Sequence, residues 1–158
     1  MTWKTQPLFP KPLSKSKVNE DVCEILVEML PDYEFGEDEG GLSAVSVNKH
    51  VLHNKSAVLD YLTRKVRQAI CDIGYHCDVQ ITTSWFTATL SGGSADEHAH
   101  CNSWFSAVVY FDEYDDNTAP IQFVNPPSGV YVSPSTDNEY NATAVSYTHL
   151  TLPTIYSV

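Results

Sequence analysis

The chain has 158 residues, 42% of them hydrophobic, and a formal net charge of -11. This length supports one domain with a hydrophobic core and is short for two. The acidic charge, without any cluster of Lys and Arg, argues against nucleic acid or an anionic membrane surface as the main partner. No apolar run reaches the ~20 residues that span a bilayer, and residues 1–13 lack the apolar stretch of an export signal, so the sequence predicts a soluble cytoplasmic protein.

The first predicted element is an amphipathic helix. Apolar residues recur at helical spacing from Val18 to Met29. Asn19 stands where a helix needs an N-cap, and Pro31 ends the pattern. One face of this helix is therefore expected to pack on a core.

A loop, a strand and a second helix follow in chain order. Residues 31–41 combine acidic residues with glycines and are predicted to form a solvated loop, before a short strand at 42–47. Apolar residues then return to helical spacing over residues 56–73, and Gly74 is placed to end that helix. We expect both helices to serve as scaffold.

The second half changes to the period of a β-strand. Residues 78–90 are rich in Val, Ile, Thr, Trp and Phe and predict a long strand, and residues 103–111 and 121–124 predict two more. Helices followed by strands indicate an α+β domain in which the helices pack on an antiparallel sheet or barrel.

The four cysteines suggest no covalent or zinc framework. They form no CxxC pair and show no regular spacing. Reduced thiols are expected at all four positions, which are Cys23, Cys71, Cys77 and Cys101.

A pair of histidines carries the chemical interest of the sequence. His98 and His100 lie in "DEHAHCNSWFSAVVYF", residues 96–111, and side chains two apart in a strand share a face, so both could approach one metal ion. The alternative is that the pair is simply polar and exposed at the end of a strand. Spacing alone permits chelation without requiring it.

The sequence around the histidines resembles a known family. The stretch "TSWFTATLSGGSADEHAHCNSWFSAVVYFDEYDDNTAPIQFVNPP", residues 83–127, resembles the 2-oxoglutarate- and Fe(II)-dependent oxygenases of marine phages and bacteria, in the order of its Trp strand, His-x-His-x-Asn-Ser segment and Phe-x-Asn-Pro close. With "PLFPKPL" near the start, the resemblance covers most of residues 7–127. It implies a double-stranded β-helix, a jelly-roll-like barrel backed by helices.

The resemblance implies Fe(II) and 2-oxoglutarate as cofactors, with His98 and His100 as metal ligands. Non-haem iron oxygenases usually bind iron through two histidines and one carboxylate. His100 stands where the commoner HxD motif has that carboxylate, so either a histidine serves there or Asp96 or Glu97 supplies an oxygen ligand. Period-two spacing favours Asp96 as the carboxylate.

Further residues are candidates for contact with 2-oxoglutarate. Asn102, Ser106 and Tyr110 share the parity of the histidines and could hydrogen-bond the co-substrate, or could equally be packing and strand-pairing residues. The chain has no Arg after Arg67 and no Lys after Lys65, so its second half offers no cation for the co-substrate's carboxylate.

The end of the chain has a separate interpretation. "VSYTHLTLPT", residues 145–154, resembles the translation of a transposase-type sequencing adaptor, so we divide the chain into an oxygenase-like domain at 1–144, truncated before its last strands, and a non-native tail at 145–158. His149 is then adaptor-encoded and is not expected to be a ligand. The barrel is expected to be incomplete at its C-terminal end.

The sequence thus predicts a dioxygenase fragment from a metagenomic source, with impaired activity, in the cytoplasm of a host cell if a phage encodes it. Two other functions fit the same residues. One is a non-catalytic jelly-roll module, such as a phage structural or binding domain. The other is a cupin-like metal protein that uses no 2-oxoglutarate. The substrate, small molecule or protein, is not specified by the sequence.

Overall fold

A computed structural model describes residues 12–37, 42–95, 97–98, 100, 103–111, 121–124, 144–147 and 154–157 of the chain. These residues form an α+β structure, which confirms the predicted class. The helices are α1 (Glu20–Met29) and α2 (Ser56–Asp72), and the strands are β1 (Ser14–Lys17), β2 (Phe35–Glu37), β3 (Ser43–Ser46), β4 (Thr87–Thr89), β5 (Ala107–Val109), β6 (Ile121–Val124), β7 (Ala144–Tyr147) and β8 (Thr154–Ser157). Within the described ranges, neither helix is long and apolar enough to cross a membrane.

The described strands form three small antiparallel sheets, with the orders β1-β8-β5, β2-β3-β4 and β6-β7. None of the three closes on itself. The architecture is therefore helices beside open antiparallel sheets.

Helix α1 lies where the sequence predicted it. Asn19 occupies the N-cap position, but its side chain makes no cap bond; its Oδ1 accepts a hydrogen bond from the Tyr61 hydroxyl on α2 at 3.1 Å. The Asn19 backbone N–H donates to the same hydroxyl oxygen at 3.0 Å. Asn19 therefore joins the start of α1 to α2, and the predicted face buries Leu26 and Met29.

Helix α2 also follows its sequence pattern. Its apolar face buries Val58, Leu62 and Ile70. Gly74 follows the last turn with a φ of 95°, a left-handed conformation that glycine adopts without steric cost. The predicted stop at Gly74 is confirmed.

The main core lies between the two helices and the segment that leads into β4. Leu26 and Met29 of α1 pack with Val58 and Leu62 of α2 and with Phe86. The aromatic rings of Tyr33 and Phe111 pack edge-on against Phe86, with ring centroids 5.4 and 5.6 Å from it. The β2-β3-β4 sheet packs against this core.

The long strand predicted at 78–90 is wrong over most of its length. Only Thr87–Thr89 pairs with a neighbouring strand. Ser84 instead bonds to a loop: its backbone N–H donates to the Lys49 carbonyl at 2.9 Å, and its carbonyl accepts from the Val51 N–H at 3.1 Å. Strand-forming residues extend a strand only where a partner strand is in reach.

One loop prediction and one further strand prediction need smaller corrections. The predicted loop at 31–41 contains β2, because Phe35 packs against the core and pairs with Ser46 across the sheet. The strand predicted at 103–111 is reduced to Ala107–Val109, whereas the one at 121–124 has the predicted bounds.

The segment predicted to be a non-native tail contributes to two of the sheets. β7 pairs with β6, and β8 lies between β1 and β5. Ser14 is opposite Ser157, and Val108 is opposite Tyr156. These pairings concern the backbone, and the division of the chain at residue 144 stays a prediction.

Gly93, at the start of the segment that carries the histidines, lies very close to the backbone of Leu42. A Cβ at this position would lie 2.5 Å from the Leu42 carbonyl oxygen. We expect Gly93→Ala to lower the free energy of unfolding by about 1–3 kcal/mol, because backbone atoms must move to admit the methyl group. Gly36→Ala is the matched control, since its Cβ would lie an ordinary 3.9 Å from the Val45 carbonyl oxygen. Urea denaturation measures both; equal stability of the two variants would contradict the prediction.

Candidate functional site

His98 and His100 lie between β4 and β5, outside any described strand, whereas the sequence predicted strand or strand-edge positions for them. Their side chains nevertheless come together. The ring centroids of His98 and His100 are 5.0 Å apart, and the ring planes are nearly perpendicular, at 87°. Among the predicted site residues that the structure describes, His98 and His100 are in contact with each other.

The separation of the two rings is compatible with a shared metal ion. An imidazole binds a divalent metal through one nitrogen at about 2.1 Å, which places the ring centroid at roughly 3.2 Å from the ion. Two such ligands at tetrahedral or octahedral angles have centroids roughly 4.5–5.2 Å apart. The observed 5.0 Å falls in that range. The distance between the two ring centroids is therefore compatible with two imidazole donors to one ion.

Trp85 packs beside the histidine pair. Its ring centroid lies 5.4 Å from that of His100, with the planes tilted by 51°. The residues on either side of Trp85 point inward. The Ser84 hydroxyl accepts a hydrogen bond from the Leu52 N–H, and Phe86 is buried in the core. Side chains alternate along extended backbone, so Trp85 projects to the opposite side, where it is 38% exposed.

A cleft of about 480 Å³ adjoins His98. Its floor is a row across the β2-β3-β4 sheet, in which Gly36 and Thr87 are both paired with Val45. Trp85 and His98 also line it. A volume of this size is within the range of small-molecule sites, about 300–1,000 Å³.

Lys49 contributes a positive charge to the cleft. Its ammonium group donates a hydrogen bond to the Ser46 carbonyl oxygen at 2.8 Å. Ser46 is itself fully buried. Its hydroxyl is hydrogen-bonded on both sides, since it donates to the Asn48 carbonyl at 2.8 Å and accepts from the Phe86 N–H at 3.0 Å. A buried, hydrogen-bonded serine therefore holds the turn that presents Lys49.

Sequence reasoning missed Lys49 and Trp85 as site residues. The family pattern places the cation in the second half of the chain, whereas Lys49 precedes α2. One signal was present: "SVNK", residues 46–49, has the Ser and Asn typical of a turn that presents the residue after it.

The remaining predicted residues are more distant from the cleft or are not described. Ser106 and Tyr110 flank β5 and are half-buried, and neither belongs to the described lining of the cleft. Asp96, Asn102 and His149 lie outside the described residues.

Within the described ranges, no group of three His, Cys, Asp or Glu residues is arranged to hold a metal ion. Of the cysteines that the structure describes, Cys23, Cys71 and Cys77, none joins the histidine pair in such a group. Cys23 is buried in the core, and burial, together with the carboxylate of Glu20, raises the pKa of its thiol, so it stays protonated at neutral pH. The described part of the site therefore supplies two imidazoles and, across the cleft, one ammonium group.

No family model, curated protein or solved structure matches this chain.

Proposed function

We propose that this protein is an Fe(II)- and 2-oxoglutarate-dependent dioxygenase, a hydroxylase-type enzyme whose complete form is a double-stranded β-helix. The observation that carries the proposal is the contact between the rings of His98 and His100 beside a cleft of small-molecule size. The order of motifs in residues 83–127 supports the same class. Antiparallel sheets with helices packed beside them are compatible with a part of such a barrel.

The residues of the chain have separate roles in this proposal. His98 and His100 hold the ion through one ring nitrogen each, with Asp96 as the candidate carboxylate ligand. Trp85 packs on His100 and restricts the rotation of its ring, which keeps the donor atom in place. When bound together, Fe(II) and 2-oxoglutarate supply the oxidising chemistry with O₂. Asn102, Ser106 and Tyr110 are the proposed hydrogen-bonding partners of 2-oxoglutarate.

A second function is favoured by one observation. Since the described residues hold two metal donors and not three, a non-catalytic jelly-roll module that binds metal weakly, or not at all, also fits. A cupin-like metal protein without 2-oxoglutarate needs the same third donor as the enzyme. Dependence of the reaction on 2-oxoglutarate separates these classes.

The test is release of CO₂ from 2-oxoglutarate labelled at C1, with Fe(II) added under anaerobic conditions before air is admitted. We expect slow release by the 158-residue chain, and brisk release, abolished by a chelator, once the native 3′ sequence of the gene replaces residues 145–158. An extended protein that binds Fe(II) stoichiometrically but releases no CO₂ would contradict the dioxygenase proposal. Brisk release by the 158-residue chain itself would show that the tail interpretation is wrong.

A further inference from the structure

We infer that the cleft beside His98 binds an organic monocarboxylate with a flat apolar body. Lys49 pairs with the carboxylate of this ligand, and Trp85 packs against its apolar body. As a statement about a substrate, this inference rests on the proposed function. As a statement about binding, it depends only on the cleft.

The charge of the ligand follows from Lys49. The chain as a whole has a net charge of -11 and repels anions, so an anion is held only where a local cation outweighs the rest. Lys49 is the single Lys or Arg in the described lining of the cleft, and its ammonium group bonds to a neutral carbonyl oxygen. An ammonium group has three donors, so at least one remains for a carboxylate in addition to that bond.

The apolar body follows from the other walls. Val45, Val47 and Trp85 line the cleft, and Val47 and Trp85 are 57% and 38% exposed in the protein without ligand. Covering these side chains is favourable, and an indole ring packs best on a flat partner. Gly36, also in the lining, adds no side chain to these walls.

His98 places the cleft next to the proposed metal ligands. Its side chain lines the same cleft and contacts His100. A ligand held between Lys49 and Trp85 thus lies next to the proposed metal ligands, where a substrate of an oxidising site has to be.

The experiment uses the 158-residue protein in EDTA, with 2-naphthoate as the probe and uncharged 2-naphthamide as its matched neutral analogue, both measured by ligand-observed NMR. We expect 2-naphthoate to bind about 10-fold more tightly than 2-naphthamide, since hydrogen bonds to charged groups are the stronger ones. Lys49→Met should remove that difference while leaving 2-naphthamide binding unchanged, and Lys49→Arg should retain it. Lys55→Met is the control, because Lys55 lies at the start of α2 and is not part of the described cleft lining.

Three results would overturn the inference: equal binding of the two probes, equal weakening of both by Lys49→Met, or tighter binding of 2-oxoglutarate than of 2-naphthoate. The last result would make the cleft a co-substrate site. Failure of the proposed function is read separately, by Fe(II) titration without the probe. If the 158-residue protein binds 2-naphthoate through Lys49 but the extended protein of the CO₂-release test binds no Fe(II), the inference is supported and the enzyme refuted.

Discussion

Replacing His98 with alanine is expected to weaken Fe(II) binding by about 100-fold or more, the equivalent of roughly 2.8 kcal/mol. In the proposed site the two imidazoles, with ring centroids 5.0 Å apart, bind the ion together, so removing one leaves the ion with a single imidazole ligand. The measurement is an anaerobic Fe(II) titration by calorimetry, on the extended protein of the CO₂-release test.

The pairing of the histidines sharpens this experiment. His100→Ala should cause a loss of similar size, and the double variant should be little worse than either single one, because residues that act as a unit are not additive. His53→Ala is the control, since His53 is exposed in the turn before α2. Stoichiometric Fe(II) binding retained in His98→Ala would mean that the ligand is misassigned.

The second large effect is expected in the core. Met29→Ala should lower the free energy of unfolding by about 2–5 kcal/mol, because Met29 is 1% exposed at the centre of the cluster formed by α1, α2 and Phe86. Val27→Ala, in the same helix but 40% exposed, should change it by less than about 0.5 kcal/mol. Urea denaturation followed by circular dichroism measures both. A loss below about 1 kcal/mol in Met29→Ala would indicate that α1 is not packed as described.

The two helices were predictable because their signals are local. The spacing of Leu26 and Met29 in α1, and of Val58 and Leu62 in α2, identifies the buried face without knowledge of what covers it. Gly74 could be placed as a stop because a left-handed residue after a helix is a requirement of the backbone alone. Local rules of this kind survive in any tertiary context.

The strands were less predictable because a strand requires a partner. Nothing local to Ser84 indicates that its backbone bonds to the loop of Lys49 and Val51 rather than to a strand. The site residues likewise divide into those that the local sequence predicts and those that depend on tertiary structure. His98 and His100 could be paired from a separation of two residues, whereas Lys49 reaches the cleft only through the fold.

The strand order β1-β8-β5 also has a consequence for how the chain folds. Ser14 of β1 is opposite Ser157 of β8, so this ladder joins residues that are far apart in the sequence. Contacts of such high contact order form slowly, while α1 and α2 can pack on local contacts as soon as they emerge from the ribosome. Because β8 pairs with both β1 and β5, removing residues 154–157 is expected to leave β1 and β5 without their shared neighbour, while the packing of α1 on α2 stays in place.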